Sequence, residues 1–498
     1  MADRHVAGPA GRGGSGGGSG GGSASGRGGS RGRRSARPGA RPVRAARPAT
    51  PRPRAAVDPA RLAAYELLRG VAADGAYANL LLPRLLADRG LGGRDAALAT
   101  ELGYGTLRAA GTLDEILGRC ADRPLADVQP EVLDVLRLGA YQLLRTRIPP
   151  HAALATTVDL AHAVGQGRAG GFVNAVLRKV SARDWANWAD ELSAGGGRLR
   201  TLAVRTAHPD WIVAAFAAAL GDDLDGQLAE TARALEADEV RPSTHLVAWP
   251  GRSERAELLD QVGGEPGPYS PYAVRMAGGD PAGAAAVRER RAGVQDEGSQ
   301  LCALALAAAP IEGRDEEWLD LCAGPGGKAA LLAGLAAQRG AGLRANELRA
   351  HRAELVRSVT GHWHVDVRVG DARSYPPRAD GFDRILVDAP CTGLGALRRR
   401  PEARWRRTAD DLIELQQLQR DLLAAALRLV RPGGVVAYVT CSPHLAETAE
   451  VVASAGGHDL IDARPLFGGA ADLGAGPTVQ LWPHRHGTDA MFCALLRG

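Results

Sequence analysis

Lysine is nearly absent from this chain of 498 residues: of 61 basic residues only Lys179 and Lys328 are lysine, and the rest are arginine. Alanine and glycine are correspondingly frequent, the bias of a GC-rich coding sequence. A lysine kept against that bias marks a place where a compact, flexible ammonium does what a guanidinium fork does not. Cysteine is scarce too. Cys120, Cys302, Cys322, Cys391, Cys441 and Cys493 are scattered without CxxC spacing, which excludes a disulfide framework and a thiolate zinc site and reads as a reduced, cytoplasmic chain. No clustered His/Cys ligands suggest a metal. Aromatics are 4% of residues, too few for extensive base-stacking platforms outside a binding pocket. No run approaches the ~18 apolar residues that span a bilayer, and the start of the chain lacks the apolar core of a secretory signal.

What is present divides unevenly. At roughly 150 residues per domain the length suggests about three domains. Residues 1–57 are built from Gly, Ser, Arg, Ala and Pro and carry 12 Arg against one acid, Asp3. Their net charge is +11, and since the whole chain is +5 the remainder is −6. Such a segment buries too little apolar surface to offset its ordering entropy and is expected to be disordered. It reads equally as a non-specific phosphate binder and as a solvated tail.

Residues 58–182 read as all-helical. Asp58-Pro59 is an N-cap followed by a first-turn proline, and helical periodicity runs from Leu62 and returns in Asp95–Leu107, Val132–Leu144, Ala152–Ala163 and from Gly171 onward. Arg108, Arg137, Arg178 and Lys179 are either an RNA-facing set or a solvated surface. Residues 183–315 suggest a small α/β domain: a helix over Trp211–Leu220, a strand over Ser243–Ala248, loop through 249–285, and an apolar helix over 301–309. From residue 316 short buried strands (Trp318–Leu321, Leu343–Asn346, Ile385–Val387, Val435–Val439) alternate with helices starting near Gly327, Arg349 and Thr408. This alternation predicts a doubly wound, mostly parallel α/β sheet over 316–498, whose ligands bind at the carboxyl ends of its strands.

The chemistry-bearing phrases fall at those ends. Asp320-Leu321-Cys322-Ala323-Gly324-Pro325-Gly326-Gly327-Lys328 closes a strand and opens a helix, bringing backbone close to a ligand at a helix N-terminus. It matches neither the P-loop nor the dinucleotide GxGxxG spacing. Glu347, Asp371 and Asp388 follow successive strands. An acid ending the second strand is placed to accept both ribose hydroxyls of an adenosine cofactor, and Asp371 to accept from an adenine amino group. Each acid, taken alone, reads equally as a helix N-cap. Cys391 follows Asp388-Ala389-Pro390, and Cys441 stands in Thr440-Cys441-Ser442-Pro443. Two cysteines just beyond strands suit methylation of carbon 5 of a pyrimidine, a poor nucleophile until a thiolate adds to carbon 6. Cys120, Cys302 and Cys493 read as core.

Together these residues resemble the RNA cytosine-5 methyltransferases, and across 58–498 the chain is similar to the RsmB (Sun/Fmu) family, which methylates a cytidine of 16S ribosomal RNA. Its amino-terminal part resembles the antitermination factor NusB. The phrases alike are Ala97–Arg108, Phe172–Arg178, Val294–Leu301, Arg398–Trp405 and His486–Asp489. The resemblance implies an all-α NusB-like RNA-binding bundle, a small α/β middle domain and a Rossmann-like methyltransferase domain, in a cytoplasmic monomer that binds small-subunit ribosomal RNA and S-adenosylmethionine, with neither membrane nor metal. It implies that Cys322, Ala323, Gly324, Pro325, Gly326, Gly327 and Lys328 cradle the amino-acid end of S-adenosylmethionine, Glu347 its ribose and Asp371 its adenine side. Cys441 is the implied nucleophile, Cys391 assists release, and Asp388, counted with both the cofactor-binding and catalytic residues, bonds the base at N3. The chain departs from the family with Gly324 for the usual Ala, Glu347 for a frequent Asp, and Ala490 where Gly is common. Transfer RNA or another ribosomal site as substrate, and a non-catalytic NusB-like RNA-binding factor, are the alternative readings.

Overall fold

The sixteen residues Pro130–Arg145 form one helix whose apolar side faces inward, and the same logic builds the first half of the protein. The computed structural model describes residues 57–224 and 226–498; the expectations for the tail 1–57 therefore lie outside the described residues, Val57 excepted. Ten helices come first: α1 (Pro59–Ala73), α2 (Ala78–Asp88), α3 (Gly93–Cys120), α4 (Pro130–Arg145), α5 (Pro150–Ala163), α6 (Gly170–Val180), α7 (Trp185–Ser193), α8 (Gly197–Arg205), α9 (Asp210–Leu220) and α10 (Ala229–Glu239). The Asp58 side chain accepts from Ala60 N at 2.9 Å and so caps α1. Leu67, Leu102, Leu113, Ile116, Leu136, Leu160 and Leu177 from different helices meet in one buried cluster, which continues through Trp188 and Leu192 of α7 to Ala207. Two of the arginines read as an RNA face or solvated surface are not solvated surface. Arg137 is clamped by Asp114 and Asp134 at 2.6 and 2.9 Å, and Arg108 is only 8% exposed.

The middle of the chain adds β1 (His245–Ala248), α11 (Arg255–Val262), β2 (Gly264–Pro266), β3 (Ala273–Met276), α12 (Ala285–Arg288), β4 (Ala292–Val294) and α13 (Glu297–Ala308). The four strands pair antiparallel in the order β2-β3-β1-β4. The stretch 249–285, expected to be loop, thus holds a helix and two strands. They are too short for periodicity to register between their glycines and prolines.

The carboxyl-terminal part contains β5 (Glu317–Asp320), α14 (Gly327–Gln338), β6 (Gly342–Glu347), α15 (Ala350–Thr360), β7 (Asp366–Val369), β8 (Phe382–Asp388), α16 (Ala403–Arg406), α17 (Asp411–Leu429), β9 (Val430–Thr440), α18 (Ala449–Ala453), β10 (Leu460–Ile461), β11 (Val479–Gln480), α19 (Pro483–His486) and β12 (Phe492–Arg497). The sheet order is β10-β12-β9-β8-β5-β6-β7, with β11 beside β12. β7, β6, β5, β8 and β9 run parallel, and β12 pairs antiparallel with β9. Successive strand residues go to opposite faces. Leu386, Ala437 and Val439 join the cluster under α13 and α14, whereas Ile385, Val387, Val436 and Tyr438 join the one under α17. Both faces are therefore covered, which is why these strands read as continuous apolar runs. The chain turns from β5 to β6 on one side and to β8 on the other, so the crevice at the carboxyl ends of β5 and β8 is the topological switch point.

Candidate active site

The parallel register decides what meets at that crevice. Asp320 ends β5 opposite Leu386, and Asp388 ends β8 opposite Val439, so β5, β8 and β9 finish almost level. The loop after β5 turns back over the strand ends, with Ala323 N donating to Asn346 O at 2.9 Å. Gly326, at φ +116, is confined to glycine by conformation and by space, since a Cβ there would lie 2.5 Å from Val359 Cγ2. α14 begins one residue later and aims its first-turn N–H groups at the loop.

Lys328, one of the two lysines, sits in the first turn of α14, 8% exposed, and its Nζ donates to Asp388 Oδ2 at 2.9 Å. Burial disfavours its ammonium, but Asp388 outweighs that and holds Lys328 above lysine's ordinary value. Asp320 is in the opposite condition. Its Oδ1 accepts from Cys322 N at 3.3 Å, its Oδ2 is buried without a partner, and burial and the charge of Asp388 push its pKa up to about 8.

The sulfurs of Cys391 and Cys441 lie 3.4 Å apart. Their shared hydrogen bond lowers the Cys441 thiol below its ordinary value, with Arg400 and Lys328 adding to the effect against burial, while the same bond and burial push Cys391 up. The two directions favour a thiolate on Cys441 over one on Cys391. Cys120, Cys302 and Cys493 are buried. The Cys322 thiol is raised by burial and packs against the cluster under α17, so it is the backbone of this residue that borders the crevice.

Glu347 ends β6, 4% exposed, with Oε2 accepting from Gly324 N at 3.0 Å and Oε1 from Arg349 N at 2.9 Å. A Cβ on Gly324 would stand 2.2 Å from that Oε2, so the smaller residue in the loop and the longer acid on the strand occupy one space together. Asp371 is not drawn into this group. It caps a short turn by accepting from Arg373 N at 2.9 Å and pairs with the Arg373 guanidinium, which holds its carboxyl below the ordinary range. That is the N-cap arrangement.

Several supporting residues had no sequence signal. Glu447, fully buried, accepts from Thr392 N at 2.7 Å and from Gln419 Nε2 at 3.0 Å, and it also takes the Thr392 hydroxyl. Thr392 in turn lies 3.2 Å from the Ser442 hydroxyl. The residue after each cysteine is thus tied to the other. Gly395 N donates to Cys441 O at 2.9 Å, and a Cβ on Gly395 would be 2.1 Å from Ala490 O. Only the position of Ser442 in the Thr-Cys-Ser-Pro phrase hinted at any of this.

Residues 305–497 match the family model for 16S rRNA methyltransferase RsmB/F, and residues 58–182 match that of the NusB family. A protein of Mycobacterium tuberculosis named as a methyltransferase is 54% identical over 458 residues, covering 90% of this chain and 99% of its own. The ribosomal RNA small subunit methyltransferase B of Cronobacter sakazakii is 34% identical over 403 residues, covering 79% and 88%. The chain belongs to the RsmB/F family of methyltransferases. A crystal structure of a protein called PH0851 covers 90% of this chain and all of its own with a TM-score of 0.74 and 22% identity, a likeness of fold.

As an RsmB/F methyltransferase the chain takes its methyl group from S-adenosylmethionine, and the crevice fits that molecule. The unpaired Asp320 Oδ2 is an acceptor suited to the ammonium of its amino-acid end, the N-terminus of α14 suits the carboxylate, and Glu347 stands at the edge of the next strand. Among the described residues no group of three or more His, Cys, Asp or Glu is arranged to hold a metal, and no helix is long and apolar enough to cross a membrane.

Proposed function

We propose that this protein methylates carbon 5 of a cytidine in 16S ribosomal RNA through a covalent adduct with Cys441. The observation that carries the reading is the pair of cysteine sulfurs 3.4 Å apart beside the Lys328–Asp388 ion pair at the ends of β8 and β9. One cysteine serves an ordinary nucleophile; two in contact suit a reaction that both makes and breaks a bond to the base.

Cys441, by its Thr-Cys-Ser-Pro setting, is the nucleophile, and the lowering of its thiol supports that role. Its sulfur adds to carbon 6 and sends the electron pair toward carbon 5 and N3. Asp388, fixed in place by Lys328, bonds the base at N3 and steadies the charge that develops there. S-adenosylmethionine supplies the electrophilic methyl group to carbon 5. Cys391 then assists removal of the carbon 5 proton; the electrons left behind reform the 5,6 double bond and expel the Cys441 thiolate. Asp320 and the loop from Cys322 to Lys328 hold the amino-acid end of the methyl donor, Glu347 its ribose, and Asp371 its adenine side after giving up Arg373. Relatives named for the small ribosomal subunit support that RNA as substrate. The target base would be flipped from its stack or presented in a loop.

The test uses methyl-labelled S-adenosylmethionine and naked small-subunit ribosomal RNA with wild type, Cys441→Ala and Cys391→Ala. Expected are labelled 5-methylcytidine from wild type, none from Cys441→Ala, and a protein–RNA adduct stable to denaturation from Cys391→Ala. Label in transfer RNA alone would overturn the substrate. Full activity of Cys441→Ala would overturn the mechanism.

A further inference from the structure

The phrase Ala97–Arg108, unused by the chemistry above, lies on α3 and presents Glu101, Gly105 and Arg108 a turn apart on one face. A Cβ on Gly105 would fall 2.0 Å from the Tyr141 hydroxyl oxygen, so the glycine lets that ring lie on the helix. The Tyr141 hydroxyl donates to Glu101 at 2.6 Å. Beyond the ring opens a cavity of about 490 Å³ between α3 and α4 on one side and Trp185, Glu239 and Arg241 on the other, within the ~300–1,000 Å³ typical of ligand sites.

Its charges do not balance. Two acids, Glu101 and Glu239, face four arginines in the lining; Glu101 accepts from the neutral Tyr141 hydroxyl, and Glu239 is shared between Arg145 at 2.8 Å and Arg404 at 2.6 Å. Three of the lining arginines, Arg108, Arg147 and Arg241, pair with no carboxylate among the described residues. Arg108 is only 8% exposed, and its Nε is buried without any hydrogen-bond partner. A mostly buried guanidinium with no carboxylate paired to it is costly, and an anion entering this cavity would offset that cost. Arg147 and Arg241 are exposed at the mouth, and Arg145 lies 4.6 Å over the Trp185 ring, which holds its fork in place.

We propose that this cavity is a phosphate-binding pocket for the RNA substrate, taking one phosphodiester between Arg108, Arg147 and Arg241. The inference rests on the RNA reading above. It also reaches toward the active site along the chain. Trp405 Nε1 donates to Arg108 O at 2.8 Å, and Arg404 holds Glu239. Both belong to the segment that follows Cys391, so backbone grip and base chemistry share one stretch of chain.

The test is binding of the full chain to naked 16S ribosomal RNA across a salt series, for wild type, Arg108→Gln and the double variant Arg147→Gln/Arg241→Gln. Each variant is expected to bind about tenfold more weakly at ~100 mM salt, with the slope of log affinity against log salt reduced by about 1 for Arg108→Gln. Arg108→Gln is also expected to melt no lower than wild type, because it removes an unpaired buried charge; a purely structural arginine would lower the melting temperature and leave the slope alone. If Arg108→Gln does not fold, the double variant at exposed positions decides. Unchanged affinity and slope would overturn the pocket. Inorganic phosphate that raises the melting temperature of wild type but not of Arg108→Gln, with RNA slopes unchanged, would assign the site to a free anion and overturn the RNA assignment. Arginine-dependent binding without any 5-methylcytidine would sink the proposed function and leave the pocket standing; methylation with arginine-independent binding would do the reverse.

Discussion

Asp320 combines a bonded oxygen, an unpaired buried oxygen and a pKa of about 8, and substituting Asn there separates stability from cofactor binding. An unfolded aspartate titrates near 3.9. Between the two values the folded chain keeps a proton that the unfolded chain has lost, so this group makes stability fall as pH rises from about 4 to about 8. At ~1.4 kcal/mol per pH unit, the loss between pH 5 and pH 8 is on the order of 4 kcal/mol. Asp320→Asn keeps an acceptor for Cys322 N and cannot ionise. Urea unfolding of both proteins at pH 5, 7 and 8.5 is expected to give a gap in favour of the variant that widens by on the order of 4 kcal/mol across the range. The same variant is expected to bind S-adenosylmethionine at least tenfold more weakly by calorimetry at pH 8.5, where Asp320 is ionised, since a neutral amide offsets an ammonium poorly. Two stability curves running parallel with pH would refute the assignment of a protonated, buried Asp320.

Four further outcomes follow from named contacts. Cys441 is expected to react with iodoacetamide faster than the other cysteines at pH 7, and its alkylation to shift to higher pH in Arg400→Gln, because Arg400 favours its thiolate; peptide mapping by mass spectrometry reads both. Lys328→Met leaves Asp388 unpaired beside Asp320 and is expected to cost about 3 kcal/mol in urea unfolding. Gly326→Ala forces a side chain to φ +116 and to 2.5 Å from Val359, so it should cost on the order of 2 kcal/mol and weaken binding of S-adenosylmethionine. Glu447→Ala strips the acceptor from Thr392 N and Gln419 and should cost about 3 kcal/mol, with kcat falling more than KM for RNA changes.

The parts of the fold legible in sequence were those where one period dominated a long enough stretch. The Asp58-Pro59 start of α1 and the apolar stripes of α3 to α6 repeat over several turns, and the parallel strands are apolar because both their faces are covered. α2 was missed: it is short and has Pro83 inside it. β2 and β3 are set by antiparallel pairing, β2 with β3 and β3 with β1, rather than by their own three and four residues. At the site, strand-end position and the phrases around them drew attention to Asp388, Cys391 and Cys441, and the scarcity of lysine to Lys328. What sequence did not carry was partnership. Glu447 and Gln419 look like ordinary polar residues of a helix and a turn until the fold brings them to Thr392. Asp371 illustrates the reverse: an acid after a strand suits both a cofactor and a cap, and in this structure it caps.

The phrases most distant in sequence explain why the cysteine loop holds its shape. Arg399 lies between Asp296 at 2.7 Å and Asp489 at 3.0 Å, while Asp489 N donates to Asp296 Oδ2 at 3.1 Å. Three stretches, Val294–Leu301, Arg398–Trp405 and His486–Asp489, thus close on one ion cluster. Both acids are less than a tenth exposed, so the pairing is not a screened surface contact but a desolvated, geometrically fixed one. From that anchor the chain runs one way to Leu394 and Leu397, which pack with Ile212 and Phe216 of α9, and onward to Cys391. It runs the other way to Trp405 and Arg406, which bond to α3 and to the end of α1 at Arg108 O and Val71 O. A helical region that only tethered RNA would need no such connection. The segment carrying Cys391 is thus braced on one side by the helical bundle and on the other by its bonds to the Cys441 segment, at Thr392–Ser442 and Gly395 N–Cys441 O. RNA gripped in the pocket proposed at Arg108 would therefore rest on the same stretch of chain that carries Cys391.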